Sequence, residues 1–118
     1  DCLPNMLAAE VTERVEPFVK TLRKAHPTTH IVLVEDRFYA DSFLVASRKQ
    51  RNVDNHAALK AAHQRLVSAG VEGLHYLSAE QLLGADGDDT VDGSHPTDLG
   101  FWRQANAFEK VLQPLLDR

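Results

Sequence analysis

Cysteine occurs once in the 118 residues, at Cys2, which excludes a disulfide within the chain and leaves its redox compartment open. No apolar stretch approaches the ~18 residues that a membrane-spanning helix needs, so no transmembrane segment is expected. Basic residues are outnumbered, 13 Lys and Arg against 17 Asp and Glu, for a formal charge of −4. A nucleic-acid partner would need a clustered basic face, and that class is not expected either. The chain also lacks internal repeats and low-complexity linkers, so nothing divides it. An initiator Met, a signal peptide and a polar lead-in are missing too; the chain opens on Asp1-Cys2-Leu3-Pro4-Asn5, as though cut at the end of a strand.

What remains has an ordinary globular composition, 43% hydrophobic and 25% charged, which argues against bulk disorder. The length fits one small domain. Leu7, Val11, Val15, Phe18, Leu22 and Ala25 recur at spacings of three and four and predict a helical face. Pro17 lies inside this run and should kink or restart it, and His26-Pro27 should end it. Ile31-Val32-Leu33-Val34 is apolar on both faces, as in a central parallel strand covered by helices. Phe38 to Arg51 has no clean period and is expected to be a long connection.

A second helix is predicted over Asn52–Ala69, with Ala58, Leu59, Ala62, Leu66 and Val67 inward and Gly70 as its stop. A short strand follows over Val71–Leu77, then a helical turn over Ala79–Leu83 and an Asp- and Gly-rich loop from Gly84 to Pro96. Thr97 can cap a terminal helix carrying Leu99, Trp102, Ala105, Phe108, Leu112 and Leu115. This alternation predicts an α/β fold with a parallel sheet. Two strands make a poor sheet, so N-terminal strands are expected to be missing. In such sheets ligands bind beyond the carboxyl ends of the strands, which here means Asn5, Glu35-Asp36 and the Gly84–Pro96 loop.

The most pointed motif is Asp92-Gly93-Ser94-His95-Pro96. An Asp three residues before a His can turn back to accept from Nδ1–H, leaving Nε2 as a base. In isolation that spacing also describes a loop aspartate capping its own turn beside a surface histidine. The wider string Thr90-Val-Asp-Gly-Ser-His-Pro-Thr-Asp-Leu-Gly-Phe101, running straight into a helix, resembles the last block of SGNH hydrolases. Asp1-Cys2-Leu-Pro-Asn5-Met6 resembles their third block. Leu-Arg-Lys-Ala-His-Pro before Ile31–Glu35, and Gly73-Leu-His-Tyr-Leu77, resemble the GDSL-like lipase/acylhydrolase branch.

The resemblance implies a three-layer, flavodoxin-like SGNH hydrolase fold, with residues 1–118 as the C-terminal part of a single domain. It implies a serine ester hydrolase working through an acyl-serine intermediate, with no cofactor or metal. His95 would be the general base, Asp92 its orienting carboxylate, and Asn5 an oxyanion donor worth about 3–4 kcal/mol. Read alone, Asn5 is a turn or cap residue ahead of Met6. The substrate would be a small acyl ester, either an acetylated carbohydrate or a lipid ester, and the other partner the missing N-terminal part. The chain departs from the family in lacking the Gly-Asp-Ser nucleophile block and the second block's Gly donor. It also has Leu3-Pro4-Asn5-Met6 in place of Gly-x-Asn-Asp. Without the serine, Asp92 and His95 cannot form an acyl-enzyme. A non-catalytic α/β binding module with a degenerate hydrolase site is the alternative.

Other residues carry less. Ala40-Asp41-Ser42 imitates Gly-Asp-Ser but follows the wrong strand and lacks the Gly, and Ser94 is a turn residue. Asp86, Asp88, Asp89 and Asp92 do not meet the calcium-loop rule of Gly at six and Glu at twelve, so a solvated acidic turn is expected. His56 and His63 should be surface residues, and Arg48, Lys49 and Arg51 a solvated loop cluster. Trp102 and Phe108 should pack in the core. Glu35, Arg37 and Tyr39 could line a substrate cleft.

Overall fold

A computed structural model describes residues 5–116. Its elements are α1 (Ala8–Ala25), β1 (Ile31–Val34), α2 (Ala46–Ser68), β2 (Leu74–Leu77), a 3-10 turn (Ala79–Gln81) and α3 (Asp98–Leu116). The strand end expected at Asp1–Pro4 lies outside the described residues.

β1 and β2 pair in parallel, with Ile31 opposite Leu74 and Val34 opposite Leu77. Alternation then puts Val32, Val34 and Leu77 on one face, where they meet Leu82 and the Ala107, Phe108 and Val111 side of α3. On the other face Tyr76 packs against the His63 ring of α2, centroids 5.1 Å apart. Helices on both sides of a parallel sheet give the expected three-layer α/β arrangement. α1 lies along α2, where Arg65 donates to Glu16 at 2.6 Å.

Several local expectations change. α1 passes through Pro17 without restarting, because Pro17 is exposed and the carbonyl it leaves free can reach water. The buried face is Val11 and Val19, both at 0% exposure, whereas Phe18 is 62% exposed. α2 begins at Ala46, six residues before the expected start. Its first buried positions are Asn52, Asn55 and His56, so the inward face is polar there and shows no hydrophobic period. Val67 points outward at 49% exposure. The helix does stop at Gly70: Gly70 N–H bonds Val67 O at 2.9 Å and Val71 N–H bonds Leu66 O at 3.0 Å.

Thr97 caps α3 as expected, its Oγ1 accepting from Gly100 N–H at 3.2 Å. Phe108 packs on the core, but Trp102 is 64% exposed, because the helix turns its Gly100, Gln104, Ala107 and Val111 side inward. No described helix is long and apolar enough to cross a membrane.

These placements predict opposite outcomes for two truncations. Leu66→Ala should cost about 2–5 kcal/mol in urea denaturation, because the side chain is wholly buried. Phe18→Ala should stay within about 0.5 kcal/mol, as an exposed residue does.

Candidate active site

The segment from Asp89 to Thr97 folds back on itself. Thr97 N–H donates to Asp89 O at 2.9 Å and Val91 N–H to His95 O at 2.8 Å, closing a narrow bend with Asp92, Gly93 and Ser94 at its tip. Gly93 takes φ +82°, a conformation costly for any side chain.

Within that bend Asp92 serves three donors. Its Oδ1 accepts Ser94 N–H at 3.0 Å and His95 N–H at 2.8 Å, and its Oδ2 lies 2.8 Å from His95 Nδ1. The His95 amide, then the imidazole and the Ser94 amide, hold the Asp92 carboxyl well below the usual carboxylate range. An ionised carboxylate can only accept, so Nδ1 carries the hydrogen, and on the neutral ring Nε2 is then the acceptor. No described residue hydrogen-bonds Nε2, and the His95 side chain is 75% exposed. The pairing expected from the D-x-x-H spacing is present.

The bend is pinned from outside. Ala40 N–H donates to Gly93 O at 2.8 Å. Arg37, three residues beyond the end of β1, donates through Nε to Ser94 O at 2.8 Å and through Nη2 to Ser94 Oγ. Arg48 pairs with Asp41 at 2.5 Å, and this pair packs against Gly93. Arg48 therefore belongs to α2 and to the site's support, and is not part of a solvated loop cluster.

The acidic loop is anchored as well. Asp89 is 1% exposed and accepts from Arg103 Nη1 at 2.7 Å and from Gly84 N–H. Arg103 also grips Asp86 at both oxygens, 2.8 and 2.5 Å, which lowers the Asp86 pKa and raises its own. The expected solvated acidic turn is thus a guanidinium-tied loop, with Asp88 exposed beside it. Among the described residues no three metal-ligating side chains gather into a site.

Behind the bend, the segment that follows β1 is buried and charged, with Glu35, Asp36 and Arg37 at 8, 6 and 7% exposure. Glu35 accepts from Tyr76 OH at 2.5 Å and Ala79 N–H at 2.8 Å. Burial and this carboxylate together push the Tyr76 phenol far up. Asp36 accepts from His56 Nε2 at 2.9 Å and Asn52 Nδ2 at 3.1 Å. His56 is therefore a buried partner and not a surface residue, while His63 is half-buried against Tyr76. Burial pulls the His56 pKa down, but the Asp36 hydrogen bond and charge outweigh it and leave the net value raised.

A cleft of about 550 Å³ opens at this sheet end. His95, Glu35, Asp36 and Arg37 edge it, with Val34, Leu82, Phe101 and Phe108 as apolar wall. Tyr39 lines a neighbouring groove with Phe38 and Phe43. Asn5 is exposed, and no hydrogen bond among the described residues joins it to Asp92 or His95. The carbonyl of Met6, the next residue, is tied to α2 by Asn55 at 3.1 Å and Arg51 at 3.3 Å. Ser42 and Ser94 do not reach His95 Nε2, and the Ser94 hydroxyl is held by Arg37.

The model of the GDSL-like lipase/acylhydrolase family matches residues 1–113. The chain is also similar to a protein from Bacteroides ovatus ATCC 8483 whose crystal structure at 1.40 Å is described as that of a GDSL-like lipase, with 31% identity and a TM-score of 0.92. That match covers 99% of this chain and 35% of the other, so the chain spans about a third of that protein's length. No curated protein matches.

Gly87 and Gly93 share φ +82°, but a Cβ on Gly93 would stand 2.9 Å from Asp41 Cγ, and one on Gly87 would meet nothing within 4 Å. Gly87→Ala should cost about 1 kcal/mol in urea denaturation and Gly93→Ala about 3 kcal/mol. For His56, the folded pKa lies above its ordinary 6.5, so its contribution to stability is complete below about pH 6.5 and fades as pH rises through the folded value. The melting-temperature difference between the wild type and His56→Gln should therefore be largest on the acid side and shrink towards alkaline pH.

Proposed function

The chain belongs to the GDSL-like lipase/acylhydrolase family, and we propose that it supplies the acid-base half of a serine ester hydrolase. One observation carries this reading: Asp92 Oδ2 lies 2.8 Å from His95 Nδ1, on a ring that edges a cleft at the carboxyl end of the sheet. In this reading residues 1–118 are the C-terminal part of a single hydrolase domain, and the serine comes from outside them.

The chemistry proceeds from the pair. His95 Nε2 takes the proton as the serine Oγ attacks the ester carbonyl, and Asp92 stabilises the imidazolium that forms. The tetrahedral oxyanion then collapses, and His95 returns the proton to the leaving alcohol. Water deacylates the serine by the same route, with His95 again acting as base. Asn5 would donate its side-chain amide to the oxyanion. The apolar wall of Val34, Leu82, Phe101 and Phe108 suits the uncharged acyl portion of a small ester, either an acetylated carbohydrate or a lipid ester. No metal or cofactor enters the proposed steps.

Hydrolysis of a short-chain nitrophenyl ester tests the proposal. Residues 1–118 alone should give no turnover, and a protein extended N-terminally should be active. In the extended protein His95→Ala should abolish hydrolysis, and Asp92→Asn should lower kcat by up to about 10⁴-fold. Equal turnover by both lengths would mean that the nucleophile has been misplaced. An inactive extended protein that still binds a partner would favour the non-catalytic module.

A further inference from the structure

We propose that Arg37 is the positioning residue for the Asp92–His95 pair, an inference that rests on the hydrolase reading above. Arg37 grips the bend at one peptide unit. Its Nε bonds the Ser94 carbonyl at 2.8 Å, and the amide of the same unit, His95 N–H, bonds Asp92 Oδ1 at 2.8 Å. A trans peptide is planar, with its carbonyl and N–H pointing opposite ways, so fixing both ends fixes the plane. The Cα of His95 lies in that plane, so its position is set, and the bond from Nδ1 to Asp92 Oδ2 at 2.8 Å then directs the imidazole. The guanidinium also draws electron density towards the carbonyl, which makes the His95 amide a better donor to Asp92.

Arg37 suits this task because it is itself immobilised. It is 7% exposed, and its own carbonyl accepts from Asn52 Nδ2 at 3.3 Å. Its guanidinium lies 5.7 Å from the centre of the Tyr39 ring. The preceding residue, Asp36, is locked by His56 and Asn52. Nε and Nη2 of one planar fork engage the Ser94 carbonyl and hydroxyl together, which an ammonium group cannot reproduce with the same geometry. The contact joins residues 57 apart in sequence, so it ties the segment that follows β1 to the loop that carries the base.

Arg37→Lys keeps the charge and removes the fork, and Ser94→Ala removes only the hydroxyl contact. The ¹⁵N shifts of the His95 ring report which nitrogen carries the proton, and can be read on this chain without substrate. The wild type should show the Nδ1–H form. Arg37→Lys should move the two nitrogens towards averaged values, with the tautomer ratio falling about ten-fold or more, and Ser94→Ala should fall between. In the ester-hydrolysing protein, Arg37→Lys should lose about 10- to 100-fold in kcat with KM little changed. A thermal melt within a few degrees of wild type excludes general unfolding as the cause. Wild-type ring shifts and kcat in Arg37→Lys would overturn the proposal. If no length of the protein hydrolyses esters, the hydrolase reading fails while the ring shifts still decide the role of Arg37.

Discussion

Three donors converge on one carboxylate at the tip of a bend, and the rest of the site is arranged around that convergence. Asp92 can accept from Ser94 N–H, His95 N–H and His95 Nδ1 together only because Gly93 turns the chain through a left-handed conformation between them. The two backbone bonds fix where the carboxylate sits, and the third fixes which imidazole nitrogen carries hydrogen. An exposed side-chain pair of this kind adds little to stability. Its value lies in setting the ring's tautomer and direction.

A bend so exposed needs a rigid base, and the segment that follows β1 supplies it. Glu35, Asp36 and Arg37 are buried and would be costly there if unpaired. Each has fixed partners: Tyr76 and Ala79 for Glu35, His56 and Asn52 for Asp36, Ser94 for Arg37. The polar start of α2 supports this cluster, and the Arg103 grip on Asp86 and Asp89 does the same for the other side of the loop. Binding by charge-assisted hydrogen bonds at a strand's carboxyl end holds the cleft floor and the base in one frame.

Much of this was legible in the residues. The D-x-x-H pairing is local, and Thr97 capping and the Gly70 stop depend on neighbours three to five positions away. Ile31–Val34 announced itself as a strand covered on both faces. What stayed hidden depends on distance or on polar burial. The first turns of α2 bury Asn52, Asn55 and His56, so a search for apolar periodicity passes over them. The inward position of Val19 in place of Phe18 is decided by what α1 packs against, and not by its own spacing. Arg37 with Ser94, and Arg103 with Asp86 and Asp89, join residues 57, 17 and 14 apart, and no local pattern relates them. The charge of Arg37 beside a strand end was visible; its target was not.

The most direct measurement is the attachment site of a fluorophosphonate on the N-terminally extended protein. A hydroxyl whose proton a neighbouring base removes attacks such a phosphonate far faster than an unassisted one. The account predicts a modified serine upstream of Asp1, with the labelling rate collapsing in His95→Ala. Label on Ser42 or Ser94, or labelling that proceeds unchanged without His95, would contradict it.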